Sequence, residues 1–406
     1  MKKIYSLLTI ALASLSAFAQ TTLPPIIDSS IVLTKTNSPY EFTQNTLVTS
    51  NGKITVEPGV SVFSKTPINL IIQGTVVAEG TVTDSIRFEG FTFKTDSKTI
   101  STNFQYCVFQ GSTTAGTYII YNDGASLKFA NCRFVNGYYS IYSRGGTVNT
   151  YLTIDNCSFV GKSGRGYPIY SSGSYTTLNI SNSQFYGMYS LYVYGKVVNV
   201  ERSEFVGIGS VNMTIYKTGN IICNKFKNIE SGITLNNYSS YDTITIKFNK
   251  NLLDSVGHNY PMLKIYGTTP QVKYPVKIDI HNNNFLYSYA TVKLLIQGTN
   301  STPTTYTEIN ATENYWNTTD SSKISDYIND YSDNILIWGK VNTNNFLLKP
   351  ATTCFEVLGV FEPTLPSKEV VMVLDLLGKE VSEVKSNTVY IYIYSDGSKQ
   401  KQIIIE

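Results

Sequence analysis

The sequence predicts an all-β protein, a parallel β-solenoid followed by a small C-terminal β-domain. Three features indicate this architecture. A short phrase ending in phenylalanine recurs every 20 to 33 residues, and a period in this range is typical of solenoids, propellers or arrays. Short stretches that alternate polar with β-branched or aromatic residues precede each copy, as expected of strands. From about Ala351 the repeat stops and the composition changes.

Composition restricts the functions that the chain can have. Of its 406 residues, 15% are charged, against about 25% in an average protein. The formal net charge of +3 falls to +1 without Lys2 and Lys3, which argues against a nucleic-acid partner. Two histidines make a His-based metal site or a Ser-His-Asp triad hard to build. We therefore expect no metal and no cofactor.

The N-terminus has the pattern of a secretory signal peptide over residues 1–19. Lys2 and Lys3 supply its positive charge, an apolar stretch follows, and Ala17-Phe18-Ala19 forms the cleavage site. No later apolar run reaches 18 residues, so we expect no membrane span. Residues 20–43 are predicted to form an N-terminal cap or linker. These features predict a secreted or cell-surface, extracellular protein.

The repeated phrase marks one coil of the solenoid. Its clear copies are Tyr106–Phe109, Asn131–Phe134, Asn156–Phe159, Asn182–Phe185 and Arg202–Phe205. Weaker copies are Cys223–Phe226, Asn249–Leu252, Asn282–Phe285 and the degenerate Asn314–Trp316. Each coil has room for three short strands, whereas a propeller blade needs about 40 residues. The solenoid is therefore predicted over residues 44–350.

Stacking of coils predicts ladders of like side chains. Asn131, Asn156 and Asn182 should stack at a turn, where asparagine tolerates left-handed backbone. The phenylalanines should stack inside. Cys107, Cys132 and Cys157 should form a buried ladder of free thiols, with oxidation of neighbouring pairs as the alternative.

Opening phrases at residues 52–59 and 71–80, and a closing phrase at residues 314–320, carry a family resemblance. The chain resembles the right-handed parallel β-helix proteins, which include secreted surface proteins and pectate-lyase-like enzymes. The resemblance implies a right-handed β-helix. It does not select an activity, because one fold hosts many functions. After the last coil, Asp320 or Ser321 is expected to cap a short helix that buries Ile324, Tyr327, Ile328 and Tyr331.

Residues 351–406 are predicted to form a small β-sandwich-like domain. This segment resembles the C-terminal sorting domain of the type IX secretion system of Bacteroidota. The matching residues are Leu377, Gly378, Lys379, Val389, Tyr390 and Lys401. The resemblance implies recognition by the type IX translocon. The usual Tyr-Pro-Asn-Pro opening is missing, and Thr388 replaces a glycine. A plain β-cap of the solenoid is the alternative.

A catalytic site is hard to find in the sequence. A β-helix lyase needs clustered acidic residues and an Arg or Lys base, but the acidic residues are scattered. Arg144, Arg165 and Lys162 are the weak candidates, and we expect the two arginines to approach one another from adjacent coils. Solvated loop charges are the alternative for these residues.

Tyrosine placement gives a second hypothesis. The phrase Tyr-x-(Ile/Leu)-Tyr occurs once per coil over four coils. Strand alternation should turn Tyr121, Tyr142, Tyr170 and Tyr192 outward as an aromatic ladder. Such a ladder suits contact with sugar rings, although it could equally stabilise the sheet alone. The sequence therefore favours a non-catalytic protein with a face for adhesion or glycan binding. The alternative is a polysaccharide lyase or glycoside hydrolase of the pectate-lyase-like class.

Overall fold

The computed structural model divides the chain into two compact units, Met1–Leu358 and Gly359–Glu406. The structure describes residues 21–145, 149–161, 165–173, 176–237, 243–267, 276–298, 306–352, 354, 370–374, 381, 389–394 and 399–403. The predicted signal peptide, residues 1–19, lies outside the described residues.

The first unit is a parallel β-solenoid, which confirms the predicted all-β class and architecture. Each coil visits three sheets in turn, which we call sheets A, B and C. Sheet A contains Thr21–Thr22, Tyr40–Glu41, Cys107–Gln110, Arg133–Val135, Ser158–Val160, Gln184–Tyr186, Glu204–Val206, Lys225–Ile229, Leu252–Val256 and Asn284–Phe285. Sheet B contains Ile26–Ile27, Thr46–Val48, Tyr118–Asp123, Tyr139–Arg144, Tyr167–Ser171, Ile233–Asn237, Leu263–Gly267, Leu294–Gln297 and Ile328–Asn329.

Sheet C contains Ser30–Leu33, Lys53–Val56, Thr75–Glu79, Ser101–Gln105, Leu127–Ala130, Thr150–Asp155, Thr176–Ser181, Ile244–Asn249, Val276–Asp279, Thr307–Asn310 and Gly339–Asn342. Four longer strands turn a corner between sheets. Ser61–Ile72 and Ile86–Asp96 pass from sheet A to sheet B, and Ser190–Glu201 and Ser210–Ile222 pass from sheet B to sheet C.

The solenoid begins earlier than residue 44, where the sequence analysis placed its start. Thr21 pairs with Tyr40 in sheet A, and Ser30 pairs with Lys53 in sheet C. Residues expected to form a cap or linker therefore already form coil. The repeated phrase is absent here, so the sequence period did not reveal it.

The core follows the predicted phenylalanine stack. The rings of Phe109, Phe134, Phe159, Phe185 and Phe205 are buried, and consecutive centroids lie 4.6 to 4.8 Å apart. Rings this close and nearly parallel gain stacking energy beyond the burial of their area. The repeated phrase thus encodes a continuous aromatic spine.

The predicted asparagine turn is confirmed. Asn131, Asn156 and Asn182 all have left-handed backbone, with φ of 53°, 49° and 50°. The Asn156 amide donates to Asn131 Oδ1 at 2.6 Å, but the Asn182 amide donates to Asp155 instead, at 2.8 Å. The side-chain ladder is therefore continuous only over its first two members.

A second ladder occupies the next position of the turn; its three cysteines were predicted, and its continuation through serines and asparagines was not. Its members are Cys107, Cys132, Cys157, Ser183, Ser203, Asn224, Asn251, Asn283 and Asn314, all of them buried. From Asn224 onward each side-chain oxygen accepts the backbone N–H of the preceding member, at 2.8 to 3.0 Å. The ladder therefore changes from thiols to hydroxyls to amides along the solenoid.

The cysteines divide into two groups. Cys107, Cys132 and Cys157 are buried and free, as expected, and burial raises the pKa of Cys132 and Cys157 well above the usual value. Cys223 and Cys354 form a disulfide, which was not predicted because their spacing does not follow the repeat.

The C-terminal end of the solenoid carries a short helix, Ser321–Asp326, whose N-cap Asp320 accepts from the Ser322 N–H at 3.0 Å. Within this helix, the side chain of Ile324 is buried. The helix is shorter than predicted, because Ile328–Asn329 pairs with Leu294 and Leu295 as a strand of sheet B. Among the described helices, none is long and apolar enough to cross a membrane.

The second unit contains a three-stranded antiparallel sheet of Val370–Leu374, Val389–Tyr394 and Lys399–Ile403. Val389 and Tyr390 begin the central strand, and Lys401 pairs with Ile391. Leu377, Gly378 and Lys379 lie outside the described residues. The described part of this unit is therefore β-structure, as predicted, and the sorting role remains a prediction.

Candidate ligand-binding surface

A stripe of tyrosines covers the outer face of sheet B over four coils. In the first row Tyr121, Tyr142, Tyr170 and Tyr192 are in register and partly exposed. A second row, Tyr118, Tyr139 and Tyr167, runs beside it, also in register. We call these seven residues the tyrosine stripe. The sequence analysis predicted the first row and did not assign the second, although both belong to the same repeated phrase.

Two buried residues between the rows explain why both rows face outward. In the strand Tyr118–Asp123, Ile119 and Ile120 are both buried, so simple alternation is interrupted once. The same pattern recurs in the next two coils, where Ser140 and Ile141, then Pro168 and Ile169, are buried. Tyrosines three residues apart therefore share one face.

The rings of each row stack along the solenoid. Centroid distances are 5.4 Å for Tyr121–Tyr142 and 5.3 Å for Tyr142–Tyr170, with interplanar angles of 16° and 5°. The second row repeats this at 5.1 and 5.0 Å. Rings of one row meet rings of the other edge to face, as at Tyr139–Tyr170. Ring faces inside the stripe are thus covered by neighbouring rings, and the edges are left for solvent.

The hydroxyl groups of the stripe are mostly uncommitted. Arg144 donates to the Tyr121 hydroxyl at 3.3 Å. In the part of the chain that the structure describes, the hydroxyls of Tyr142, Tyr170 and Tyr192 have no protein hydrogen-bond partner. Burial raises the pKa of Tyr142 and Tyr170, so both phenols are neutral at ordinary pH. A neutral phenol both donates and accepts a hydrogen bond.

The stripe has two different ends. At one end the Lys94 ammonium lies 5.5 Å from the Tyr121 ring centroid, a cation–π distance. At the other end Tyr192 tilts by 43° from Tyr170, and Tyr189 stands nearly perpendicular to Tyr167 with 55% of its surface exposed. At this second end the rings are therefore no longer stacked face to face.

An open depression of about 560 Å³ adjoins this second end, at the corner of sheets A and B. It is lined by Thr113, Thr114, Ala115, Tyr138, Arg165, Gly166, Tyr167 and Tyr189. Tyr138 meets Tyr139 and Tyr167 edge to face. Of the described residues lining the depression, Arg165 alone is charged. The depression thus combines aromatic walls with one guanidinium.

The structure separates the two arginines expected to approach each other. Arg144 ends a strand of sheet B, whereas Arg165 precedes the next strand of that sheet. Ser143, next to Arg144, pairs with Ser171, the last residue of the strand that Arg165 precedes. The two arginines therefore lie at opposite ends of the strands of sheet B, roughly 20 Å apart at about 3.3 Å per residue. Lys162, the third candidate, lies outside the described residues.

Other groups with chemical potential are dispersed. His281 pairs with Asp279 at 3.0 Å, and His258 packs against Tyr289. Within the described ranges, no three His, Cys, Asp or Glu side chains are grouped so that they could hold a metal ion. Comparison with known proteins found no matching family model, curated relative or solved structure.

Proposed function

We propose that this protein is an exported, non-catalytic β-solenoid that binds glycans through the tyrosine stripe and the adjoining depression. The observation that carries the proposal is that the neutral phenol groups of Tyr142 and Tyr170, on the outer face of sheet B, have no protein hydrogen-bond partner among the described residues. Sugars present hydroxyls and apolar C–H faces together, and amphipathic aromatic side chains match both. A solenoid suits this role because its repeats build an extended binding surface.

The depression supports binding at the end of the stripe. Its rings, Tyr138 and Tyr189, meet their aromatic neighbours edge to face, which leaves faces for contact with a sugar. Arg165 adds a cation with five donors. The lyase or hydrolase alternative would need carboxylates beside it, and the described lining of the depression contains none.

A glycan panel tests the proposal when it is scored for both retention and product release. We expect retention without new reducing or unsaturated ends. The double variant Tyr142→Ala/Tyr170→Ala should weaken retention at least tenfold with the fold retained, as judged by circular dichroism. Products that disappear in Arg165→Ala would favour the enzyme. Absence of retention on every glycan would leave the stripe a purely structural feature.

Export is the second part of the proposal. The signal peptide pattern in residues 1–19 supports the Sec route, and the resemblance of residues 351–406 to sorting domains supports type IX secretion. The disulfide between Cys223 and Cys354 also favours an oxidising compartment. The location proposed is the outer surface or the medium.

Deleting residues 351–406 tests the delivery route. The deletion also removes Cys354 and the disulfide, so Cys354→Ser in the full chain is the matched control. We expect the truncated protein in the periplasm and the Cys354→Ser protein outside the cell, by fractionation and immunoblotting. Truncated protein at the surface or in the medium would contradict the sorting assignment.

A further inference from the structure

We infer that the tyrosine stripe recognises an extended, neutral β-1,4-linked polysaccharide that lies parallel to the solenoid axis, with one sugar opposite each coil. The contacts are hydrogen bonds to the phenol hydroxyls rather than stacking on the ring faces. This inference rests on the proposed glycan-binding function and specifies its ligand.

The repeat distance of the stripe matches that of an extended sugar chain. Rings of the stripe recur every 5.0 to 5.4 Å over Tyr118–Tyr139–Tyr167 and Tyr121–Tyr142–Tyr170, because parallel strands lie about 4.8 Å apart. An extended β-1,4-linked chain advances by close to this distance with each sugar. A curved α-1,4-linked chain does not keep this spacing along a straight line. The stripe can therefore stay in register only with the extended chain.

Stacking within the stripe leaves the hydroxyl groups of the rings, and not their faces, available to a ligand. Tyr142 lies between Tyr121 and Tyr170, nearly parallel to both, and Tyr118 and Tyr139 meet it edge to face. No sugar can enter between stacked rings without breaking the stack. The hydroxyls of Tyr142 and Tyr170 remain, with no protein partner in the described chain, and each can both donate to and accept from a sugar hydroxyl.

Charge also bears on the ligand. Among the described residues, the cations near the stripe are Lys94 and Arg144, which contact Tyr121, and Arg165, which lines the adjoining depression with Tyr167. The phenol groups of Tyr142 and Tyr170 are themselves neutral. A polymer with a charge on every sugar would find cations only toward the ends of the stripe and leave its other charges without a partner. A neutral polymer suits all coils of the stripe equally.

The experiment uses the full chain with cellohexaose, chitohexaose and maltohexaose, measured by isothermal titration calorimetry. At least one of the two β-1,4-linked hexaoses should bind, and at least tenfold more tightly than the α-1,4-linked maltohexaose. With the tighter of them, affinity should rise from the disaccharide to about the tetrasaccharide and then level off, because the first row spans four coils.

The decisive variant is Tyr142→Phe/Tyr170→Phe, which removes two hydroxyls and keeps the rings. Because a neutral hydrogen bond contributes about 1 kcal/mol net, we expect affinity to fall about tenfold or more while the melting temperature is unchanged. The matched control is Tyr151→Phe on sheet C, a tyrosine with 54% of its surface exposed, which should bind as the wild type does.

Four results would overturn the inference, and they can be told apart. Unchanged affinity in the double Phe variant, with loss in Tyr142→Ala/Tyr170→Ala, would show recognition by ring faces. Equal or tighter binding of maltohexaose would show that the register with the coils is irrelevant. Retention of other glycans in the panel without binding of either β-linked hexaose would reject this ligand and keep the proposed function, whereas retention of none would reject both.

Discussion

At the scale of single residues, the buried turn ladder shows how a repeat is held together where its sequence varies. Asn251 accepts the Asn224 backbone N–H at 2.8 Å and donates to the Ile221 carbonyl at 2.9 Å. Asn251 thus binds backbone groups of two coils, and its side-chain oxygen is the partner of the Asn224 N–H. A buried backbone group without a partner costs about 1–3 kcal/mol.

We predict that Asn251→Ala lowers the free energy of unfolding by about 1–3 kcal/mol, because it leaves the buried Asn224 N–H without its partner. Urea denaturation measures the change. Asn310→Ala, at an exposed asparagine that donates to Asp279, is the control and should cost less than about 0.5 kcal/mol. Equal losses in the two variants would contradict the role assigned to the ladder.

Lys293 is a buried cation near the end of the solenoid. Its ammonium donates to the carbonyls of Phe285, Leu286 and Trp316, at 3.0, 3.0 and 2.6 Å, and it lies 4.5 Å from the Tyr327 ring centroid. Burial lowers its pKa to about 8, against about 10.4 in an unfolded chain. Between these values the unfolded chain binds more protons, so the contribution of Lys293 to stability rises with pH.

We predict that the melting temperature of the wild type minus that of Lys293→Met increases from pH 7 to pH 10. Over this range the buried Lys293 of the folded wild type loses its proton and its charge, whereas the variant has no charge at this position. Taking the difference cancels the tyrosines, which titrate in both proteins. A difference that stays constant over this range would contradict the lowered pKa.

At the scale of elements, structural features that follow the sequence repeat can be predicted, whereas features that do not follow it cannot. The phenylalanine spine and the left-handed asparagine turns follow from a phrase in constant phase. The coil at residues 21–33 lacks that phrase, and the Cys223–Cys354 disulfide joins residues 131 apart in sequence. The second tyrosine row required the paired burial of Ile119 and Ile120, a local irregularity that strict alternation does not predict.

After the last strand of the solenoid, residues 343–352 and Cys354 run back over earlier coils, and we call these residues the strap. The Leu347 N–H donates to the Asn314 carbonyl at 2.9 Å, and the Asn284 side chain bonds both backbone groups of Ala351. Cys354 then bonds to Cys223. The anchors therefore fall on successively earlier coils, and the disulfide fixes the end of the strap.

We predict that Cys354→Ser loosens the strap, because its covalent anchor is lost. Limited chymotrypsin digestion should cut at Phe346 to Leu348 at least tenfold faster than in the oxidised wild type, as mapped by mass spectrometry. Mild reductant should make the wild type behave like the variant and leave the variant unchanged. Equal cleavage of variant and oxidised wild type would mean that hydrogen bonds alone hold the strap.

At the scale of the whole molecule, stacking converts a sequence period into a surface with the same period. Positions about one coil apart in sequence become neighbours about 4.8 Å apart in space, so one outward tyrosine per coil gives a straight row. The same stacking inside gives the aromatic spine. The proposed function uses this property, since a regular surface is complementary to a ligand that is itself regular.

The most direct test of this account is to locate a bound polysaccharide by hydroxyl-radical footprinting with mass spectrometry. Using the tightest ligand of the glycan panel, we predict protection of Tyr121, Tyr142, Tyr170 and Tyr192. Tyr151 on sheet C and the exposed Tyr260 should react equally with and without ligand. Protection of sheet C instead, or binding that protects no tyrosine of the stripe, would contradict the central claim that sheet B is the binding face.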